Sequence, residues 1–294
     1  MAYYSAILFV LITWSCEKQA DLPVVVTADI TDLSVSKCFS GGEVTEDGGS
    51  VIVDRGIMWG PYHSVVEGIT HDGTGSGSFS ANITRLKPNS KYYAFAYASN
   101  SAGLSYGDSV IFTTPDGAID ADGNEYNCVV IGTQTWLKKN LWTTKYNDGT
   151  AIPFGRGLTT PCYTWYGDDL ANKEQYGAYY NWYAVNTGKL CPVGWHVSTQ
   201  SDWDILISYA GTQAKLQTTT GWDSNYNGTD NFGFSAVPAG ICNATGSFDK
   251  GLAAMWWTQT SGVGRCIYPS ILPLFGTLIG PIENNLSIRC VKNQ

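Results

Sequence analysis

Two short stretches of the chain carry the carboxylate and amide oxygens that bind calcium in proteins. Residues 120–125 read Asp-Ala-Asp-Gly-Asn-Glu, and residues 223–231 read Asp-Ser-Asn-Tyr-Asn-Gly-Thr-Asp-Asn. Calcium takes six to eight oxygen ligands from loops of this kind. Asp-Gly and Asn-Gly pairs are also what ordinary turns require, and we favour that interpretation for both stretches. We therefore expect no resident cofactor, with calcium as the alternative; its candidate ligands are Asp223, Asn225, Asn227 and Asp230.

Aromatic side chains are the second source of binding chemistry. The chain has 11 Trp and 18 Tyr, whose ring faces stack on sugars or anchor protein interfaces. The loop that holds the second acidic stretch combines rings with amides and carboxylates, as sugar-binding sites do. We predict ligand binding in this loop, through Trp222, Tyr226, Asn227 and Asp230.

The sequence contains no arrangement of residues that predicts catalysis. The glycine-rich residues 73–78 lack the last glycine of a dinucleotide loop, and no Gly-x-Ser-x-Gly motif occurs. His196 has no carboxylate or nucleophile fixed to it by a motif, so we expect a structural role. The lack of a Cys-x-x-Cys pair argues against zinc. We expect a protein that is not an enzyme.

The charge of the chain limits its partners. The formal net charge is −8, and the sequence has no cluster of Lys and Arg. A nucleic-acid-binding protein needs such a cluster, so we exclude nucleic acid as a partner. With 44% hydrophobic and 14% charged residues, the composition suits folded domains, and 294 residues allow two of them.

The first residues resemble a bacterial lipoprotein signal. Residues 1–16 form an apolar run that is too short to span a bilayer and that ends at Cys16. The resemblance implies that Cys16 is lipidated and that residues 17–22 form a tether to the membrane. The expected location is the outer membrane of a Gram-negative, Bacteroidetes-type bacterium, with the protein exposed at the cell surface.

Residues 23–115 have the texture of an all-β domain. Residues 86–92 (Leu-Lys-Pro-Asn-Ser-Lys-Tyr) are similar to the corner that precedes strand F in fibronectin type III-like sandwiches. The resemblance implies a β-sandwich that acts as a spacer, followed by a short linker over residues 116–119. Short β-branched and aromatic runs predict strands at residues 24–28, 51–59, 78–83, 92–99 and 109–114.

Helical spacing of apolar residues occurs in two places of the remaining chain. Aromatic residues at such spacing predict one helix over residues 175–185. A second helix is predicted after Thr199, which can serve as N-cap with Asp202 three residues later. We expect it to lie against a sheet that holds the C-terminal end of the chain. Its apolar stripe consists of Trp203, Leu206, Ile207 and Ala210.

The region around this second helix resembles the Fibrobacter succinogenes major paralogous domain. Residues 191–197 read Cys-Pro-Val-Gly-Trp-His-Val, and further parts of the family pattern follow the same order over residues 119–294. The resemblance implies a distant relative of the C-type lectin and formylglycine-generating-enzyme fold, an α+β domain over residues 120–294. The other matching segments are 122–126, 131–136, 140–141, 176–185, 233–240, 256–258 and 287–291.

The cysteines of this region are expected to pair, because an exported protein meets an oxidising compartment. Cys191 and Cys290 lie inside the family motifs, so we favour a disulfide between them. Two further pairs, Cys242 with Cys266 and Cys128 with Cys162, are weaker expectations. Cys38 is expected to be a small buried residue.

Residues 199–203 (Thr-Gln-Ser-Asp-Trp) are also similar to the Pro-Thr-x-x-Glu-Trp segment of formylglycine-generating enzymes. Those enzymes need a Gly-Gly-Ser strand and reactive cysteines near the C-terminal end. Residues 256–290 contain no Arg-Gly-Gly-Ser, and the cysteines there are expected to be disulfide-bonded. We therefore expect this chain to lack the catalytic residues of formylglycine-generating enzymes.

Three functions follow from these patterns. The first is a non-catalytic surface lipoprotein whose C-type-lectin-like domain binds glycan. The second is an adhesin or a surface-assembly component that binds protein. An oxidoreductase similar to formylglycine-generating enzymes is the third and is the one we favour least.

Overall fold

The computed structural model describes residues 19–223, 225–269 and 275–294. The chain divides into two units. The first unit comprises residues up to Asp32 together with Cys38–Thr84 and Lys91–Phe112. The second comprises Leu33–Lys37, Arg85–Ser90 and Thr113–Gln294. The lipidation site predicted at Cys16 lies outside the described residues.

The first unit is built from strands, and each of the five predicted runs falls on one of them. Three further strands were not predicted, because glycines or polar residues interrupt their alternation. The strands are β1 (Val24–Thr27), β2 (Cys38–Glu46), β3 (Asp54–Pro61), β4 (Gly68–Ile69), β5 (Gly77–Ile83), β6 (Lys91–Asn100), β7 (Gly103–Tyr106) and β8 (Val110–Thr113).

These strands form two sheets. One has the order β1-β2-β5, and the other has the order β4-β3-β6-β7 with β8 also paired to β6. The longest pairing is antiparallel and runs from Asp54 opposite Ser99 to Pro61 opposite Tyr92. Side chains that alternate along the strands, such as Val44 and Ile57, are buried. The predicted β-sandwich is confirmed.

The second unit contains more strands than helices, so the expected α+β composition overstated its helix content. Among the residues that the structure describes, this unit has two α-helices of a single turn, α1 (Lys173–Tyr176) and α2 (Trp182–Val185), and a longer one, α3 (Gln200–Ala210). Its strands are β9 (Gly117–Ile119), β10 (Glu125–Ile131), β11 (Gln134–Leu137), β12 (Tyr163–Thr164), β13 (Tyr179–Asn181), β14 (Trp195–Val197), β15 (Ile241–Asn243), β16 (Gly246–Phe248), β17 (Ala254–Trp257), β18 (Val263–Ile267), β19 (Gly276–Ile279), β20 (Asn285–Leu286) and β21 (Cys290–Lys292).

The described strands of this unit form three sheets. Their orders are β14-β21-β11-β10-β9, β12-β13-β20-β15-β16 and β17-β18-β19. The strand β9 occupies residues predicted as linker, and it pairs with β10 through Ile119 opposite Glu125. The last strand, β21, lies inside the first sheet between β14 and β11. The C-terminal end of the chain is therefore held in a sheet, as predicted.

The disulfide between Cys191 and Cys290 fixes the last strand to the segment before β14. Its two Cα atoms are 6.0 Å apart, and the bond closes a sequence separation of 99 residues. Within the sheet, Cys290 lies opposite Val197 and Val291 lies opposite His196. The predicted pairing of these two cysteines is confirmed.

The helix α3 begins with the predicted capping box. The Thr199 side chain accepts a hydrogen bond from the Asp202 backbone N–H, while the Asp202 carboxylate accepts one from the Thr199 backbone N–H. Three of the four stripe residues, Trp203, Leu206 and Ala210, are buried, and Ile207 is half-buried. The Trp203 ring contacts Trp136, Phe234 and Trp256 at centroid distances of 5.1, 5.8 and 5.0 Å.

The single helix predicted over residues 175–185 is wrong. Gly177 ends α1 with a φ of 80°, a conformation that favours glycine, and the chain then enters the strand β13. A new helix, α2, begins at Trp182, and the side chain of its N-cap, Asn181, accepts a hydrogen bond from the Ala184 backbone N–H. The aromatic residues recur at helical spacing, but sheet pairing with β12 and β20 determines the backbone of residues 179–181.

Candidate functional site

The loop predicted to bind ligand does not expose its tryptophan. Trp222 is only 4% exposed, and its indole N–H donates to Thr218 Oγ1 and to the Ala236 backbone carbonyl, each at 3.2 Å. The ring packs in the same core cluster as Trp203 and Phe234. The prediction that Trp222 is a stacking surface is therefore wrong, because the core provides both apolar contacts and acceptors for this side chain.

The polar residues of the same loop hold the loop in shape. The Asn227 side chain accepts a hydrogen bond from the Trp222 backbone N–H, and the Asp230 carboxylate accepts two from Ser235 at 2.8 Å each. Tyr226 remains 38% exposed. Of the four residues predicted to bind ligand, Tyr226 and Asn227 are exposed to solvent, Asp230 is half-buried and Trp222 is buried.

The two stretches considered for calcium are arranged as turns. The Asp120 carboxylate accepts hydrogen bonds from the backbone N–H groups of Asp122 and Asn124, at 2.9 Å each, and from the Tyr126 hydroxyl at 2.7 Å. Asp122 pairs with Lys145 at 3.2 Å. Across the described ranges, no group of three or more His, Cys, Asp or Glu side chains is arranged to hold a metal ion. The calcium candidates Asp223 and Asp230 therefore belong to no such group. The other two candidates, Asn225 and Asn227, lie in the same loop.

The four remaining cysteines of the predicted pairs are free thiols. The Cys242 thiol lies 3.1 Å from Ser247 Oγ in one apolar cluster, whereas Cys266 packs in another. Cys162 receives a hydrogen bond from the Asn285 amide. The expected pairs Cys242–Cys266 and Cys128–Cys162 are wrong, because each cysteine is held in its own environment. Burial raises the pKa of Cys128 and Cys242 to about 11, which disfavours the reactive thiolate.

An open groove instead runs along the outer face of α3. It has a volume of about 840 Å³ and lies between this helix and the tight turn from β10 to β11. On the helix side, hydroxyl and carboxylate groups alternate with two exposed apolar side chains, Ile205 and Tyr209. Its lining residues are Gly132, Thr133, Ser201, Asp204, Ile205, Ser208 and Tyr209.

Tyr209 is fixed at one end of this α3 groove. Its ring centroid lies 5.5 Å from that of Phe232, and 56% of its surface is exposed. Gly132, at a φ of 61°, lies against the ring so closely that a Cβ there would be 3.0 Å from it. A tyrosine ring that is held on two sides and open on another loses little conformational entropy when a ligand stacks on it.

A second cavity of about 540 Å³ continues the groove towards the end of the chain and shares Thr133 and Ile205 with it. His196 and Asp202 line this part, and His196 Nε2 donates to Asp202 Oδ2 at 3.0 Å. The other ring nitrogen, Nδ1, lies 2.8 Å from Asn293 Oδ1. An imidazole that donates from both nitrogens carries a positive charge.

His196 therefore forms an ion pair with Asp202 when its imidazole is protonated. The hydrogen bond to Asp202 raises the pKa of His196, although burial opposes this. Asp202 is also engaged by Thr199, whose backbone N–H and hydroxyl donate to it at 2.8 and 2.6 Å, and by the Gln134 amide at 3.1 Å. No motif in the sequence assigned a carboxylate partner to His196, whereas the structure places the Asp202 carboxylate against its ring.

One pattern in the sequence indicates the outer face of α3. Ser201, Asp204, Ile205 and Ser208 recur at helical spacing on the face opposite the apolar stripe, where solvent is expected. Ile205 and Tyr209 are apolar or amphipathic residues on that polar face. This pair made the outer face of α3 a candidate for ligand contact.

None of the helices within the described residues has the length and apolar character needed to cross a membrane.

One known protein family matches a large part of the second unit. The Fibrobacter succinogenes major domain, as a protein family, matches residues 129–292. No curated protein matches the chain.

Several solved structures resemble about a third of the chain. The sensor domain of the anti-sigma factor RsgI4 from Pseudobacteroides cellulosolvens is 17% identical, covers 32% of this chain and 95% of its own, and has a TM-score of 0.26. The third fibronectin III domain of the human KIAA0343 protein is 19% identical, covers 35% and 92%, and has a TM-score of 0.28. The chicken CNTN1 FN1-FN3 domains are 24% identical, cover 33% of each chain, and have a TM-score of 0.26.

Proposed function

The chain belongs to the Fibrobacter succinogenes major domain family, and on this premise we propose that its second unit is a non-catalytic domain that binds glycan. The site is the α3 groove. The observation that carries the proposal is the Tyr209 ring, which is held by Gly132 and Phe232 and is 56% exposed. Sugars stack their apolar faces on such rings.

The polar lining of the groove suits the hydroxyl groups of a sugar. Thr133, Ser201 and Ser208 each offer a hydroxyl group that can donate and accept. Asp204 adds an acceptor and is itself paired with Arg265. Calcium plays no part in this proposal, since the site depends on hydroxyl groups and one ring.

The setting of the domain is part of the proposal. We place the protein on the outer membrane, anchored through lipid on Cys16, with the sandwich as spacer and a C-type-lectin-like second unit facing outwards. The support is the signal-like residues 1–16 and the motifs over residues 119–294. The absence of catalysis is supported by the buried thiols of Cys162, Cys242 and Cys266.

A glycan array tests the proposal. The full chain is expected to retain a subset of neutral glycans, and Tyr209→Ala is expected to weaken retention about tenfold or more, the scale of one lost stacking contact. Tyr226→Ala is the matched control, because Tyr226 is also partly exposed but lies in the loop outside the groove. Retention of no glycan, with or without calcium, would count against glycan binding. Equal loss in both variants would place the site elsewhere.

Protein binding is the second candidate, and one observation favours it. Ile205 and Tyr209 lie one turn apart on α3 and are 45% and 56% exposed. Adjacent exposed apolar side chains on a helix are typical anchors of protein interfaces. Crosslinking on intact cells is expected to recover a protein neighbour that Ile205→Asp abolishes. Recovery of the same neighbour by the variant would contradict binding through α3.

A further inference from the structure

We propose that the cavity lined by His196 and Asp202 is a second sugar subsite, so that the ligand is a linear oligosaccharide reaching from this cavity to the Tyr209 ring. The cavity, called the His196 cavity below, has a volume of about 540 Å³ and shares Thr133 and Ile205 with the α3 groove. The inference rests on the glycan binding proposed for that groove and adds the length of chain that the groove takes.

Solvent reaches the polar side chains of the His196 cavity. The side chains of His196 and Asp202 are 29% and 17% exposed, and Asn293 is exposed. These groups hold one another in place, because His196 Nε2 lies 3.0 Å from Asp202 Oδ2 and His196 Nδ1 lies 2.8 Å from Asn293 Oδ1. A ligand therefore meets polar atoms whose positions are already set, which reduces the entropy that binding costs.

The Asp202 carboxylate keeps an acceptor position for a ligand. Its Oδ2 accepts hydrogen bonds from the Thr199 backbone N–H and hydroxyl group, at 2.8 and 2.6 Å, and also contacts the His196 ring. Its Oδ1 accepts one hydrogen bond, from the Gln134 amide at 3.1 Å. Because the two oxygens of a carboxylate offer about four lone-pair sites, Oδ1 can accept a further hydrogen bond.

Donors without partners line the same cavity. Within the described residues, the hydroxyl groups of Thr133 and Thr135 and the amide N–H groups of Asn293 donate to no protein atom. A sugar hydroxyl group both donates and accepts. Two neighbouring hydroxyl groups of one sugar can therefore donate to Asp202 and accept from Asn293.

The charges of the His196 cavity are balanced within the protein. Asp202 pairs with the protonated ring of His196. Lys292 also lines the cavity, and its ammonium group pairs with Asp116 at 2.8 Å. Since these charged side chains already have partners of opposite charge, the cavity favours a neutral polar ligand such as a sugar over an ion.

The two subsites are too far apart for one sugar ring. Asp202 and Tyr209 are seven residues apart on α3, and a rise of about 1.5 Å per residue separates them by roughly 10 Å along the helix axis. One six-membered ring is shorter than this distance, whereas three linked rings span it. Ile205 lies between them and lines both cavities, so an apolar surface connects the polar subsite with the ring.

Isothermal titration calorimetry of the full chain with cello-, manno- and xylo-oligosaccharides of one to six units tests the proposal. In a series that binds, the affinity is expected to rise with length up to about three or four units and then to level off. Tyr209→Ala is expected to weaken binding at every length. Asn293→Ala is expected to raise the Kd of the tetrasaccharide by about fivefold, the scale of one lost hydrogen bond, and to leave that of the disaccharide unchanged.

Asn82→Ala is the matched control. Asn82 is also an exposed asparagine, but it lies on the strand β5 and lines neither cavity. Its Kd values are expected to be unchanged at every length. If Asn293→Ala does not fold, Thr135→Ala decides the matter, because the Thr135 side chain lines the same cavity.

Two results would overturn the second subsite and leave glycan binding at Tyr209 in place: equal Kd values for the disaccharide and the tetrasaccharide, or an unchanged dependence on length in Asn293→Ala and Thr135→Ala. A dependence on length that Asn293→Ala abolishes, with no effect of Tyr209→Ala, would support the second subsite and refute the Tyr209 site. Binding of none of the three series would overturn both.

Discussion

Replacing Asp202 by Asn should change how the stability of the second unit depends on pH. Burial opposes ionisation of Asp202, but hydrogen bonds from His196 and Thr199 outweigh it and lower the pKa of the carboxyl to about 2, from 3.8. That difference corresponds to roughly 2.5 kcal/mol. The cavity that Asp202 lines is open to solvent, and screening reduces this contribution to stability to about 1–1.5 kcal/mol. Asn keeps a side-chain acceptor for the helix cap, so the substitution removes mainly the charge.

Asp202 and His196 each set one end of the pH range in which their ion pair contributes to the stability of the second unit. The pKa of Asp202 is lowered by folding, so its contribution is present above the unfolded pKa of about 4 and is lost as the pH falls through about 2. The pKa of His196 is raised, so its contribution is present below the unfolded value of about 6.5 and is lost as the pH rises through the folded pKa. The variant should differ most from the unaltered protein between about pH 4 and 6.5.

Urea denaturation at several pH values, followed by tryptophan fluorescence, measures this difference. Nine of the 11 tryptophans follow residue 119, so the signal reports mainly on the second unit. Asp204→Asn is the control, because Asp204 lies on the same helix and pairs with Arg265 rather than with the histidine. A stability difference between Asp202→Asn and the unaltered protein that stays constant from pH 3 to about 8 would refute the reasoning.

Three further results are expected. Replacing Cys191 and Cys290 by Ser should lower the free energy of unfolding by about 4–5 kcal/mol, because the bond closes 99 residues; an unchanged urea midpoint would contradict this. Trp203→Ala should cost about 3–5 kcal/mol in the same assay, since the ring is fully buried among other rings, and a loss below about 1 kcal/mol would be inconsistent with that packing. Calcium added after EDTA should leave the melting temperature unchanged, because chain donors already engage Asp120 and Asp122; a rise with calcium concentration would reveal a site.

Local patterns of the sequence predicted those parts of the fold that neighbouring residues determine. Thr199 and Asp202 form a capping box because the two partners are three residues apart on one turn. From Tyr92 to Ala96 the strand β6 alternates buried and half-buried side chains, as its period of two requires, whereas Tyr97 is buried as well. The Cys191–Cys290 pair followed from the resemblance to a family and not from local pattern.

Contacts between distant segments could not be predicted in this way. Trp222 lies in a polar loop, yet its ring is buried. Its indole N–H donates to the backbone carbonyl of Ala236, 14 residues away. Residues 179–181 were expected in a helix, and their pairing with β20, about 100 residues later in the chain, makes them a strand. Tyr209 was overlooked because Gly132, which holds its ring, lies on a different hairpin.

The Cys191–Cys290 bond has a consequence for limited proteolysis. The segment between the two cysteines includes the exposed turn at Ala244 and Thr245, which a protease can bind and cleave. A single cut there leaves both fragments joined, so a nicked molecule migrates as one species until a reductant is added. Within the segment between the two cysteines, a protease would then need two cuts to release a piece in an oxidising environment.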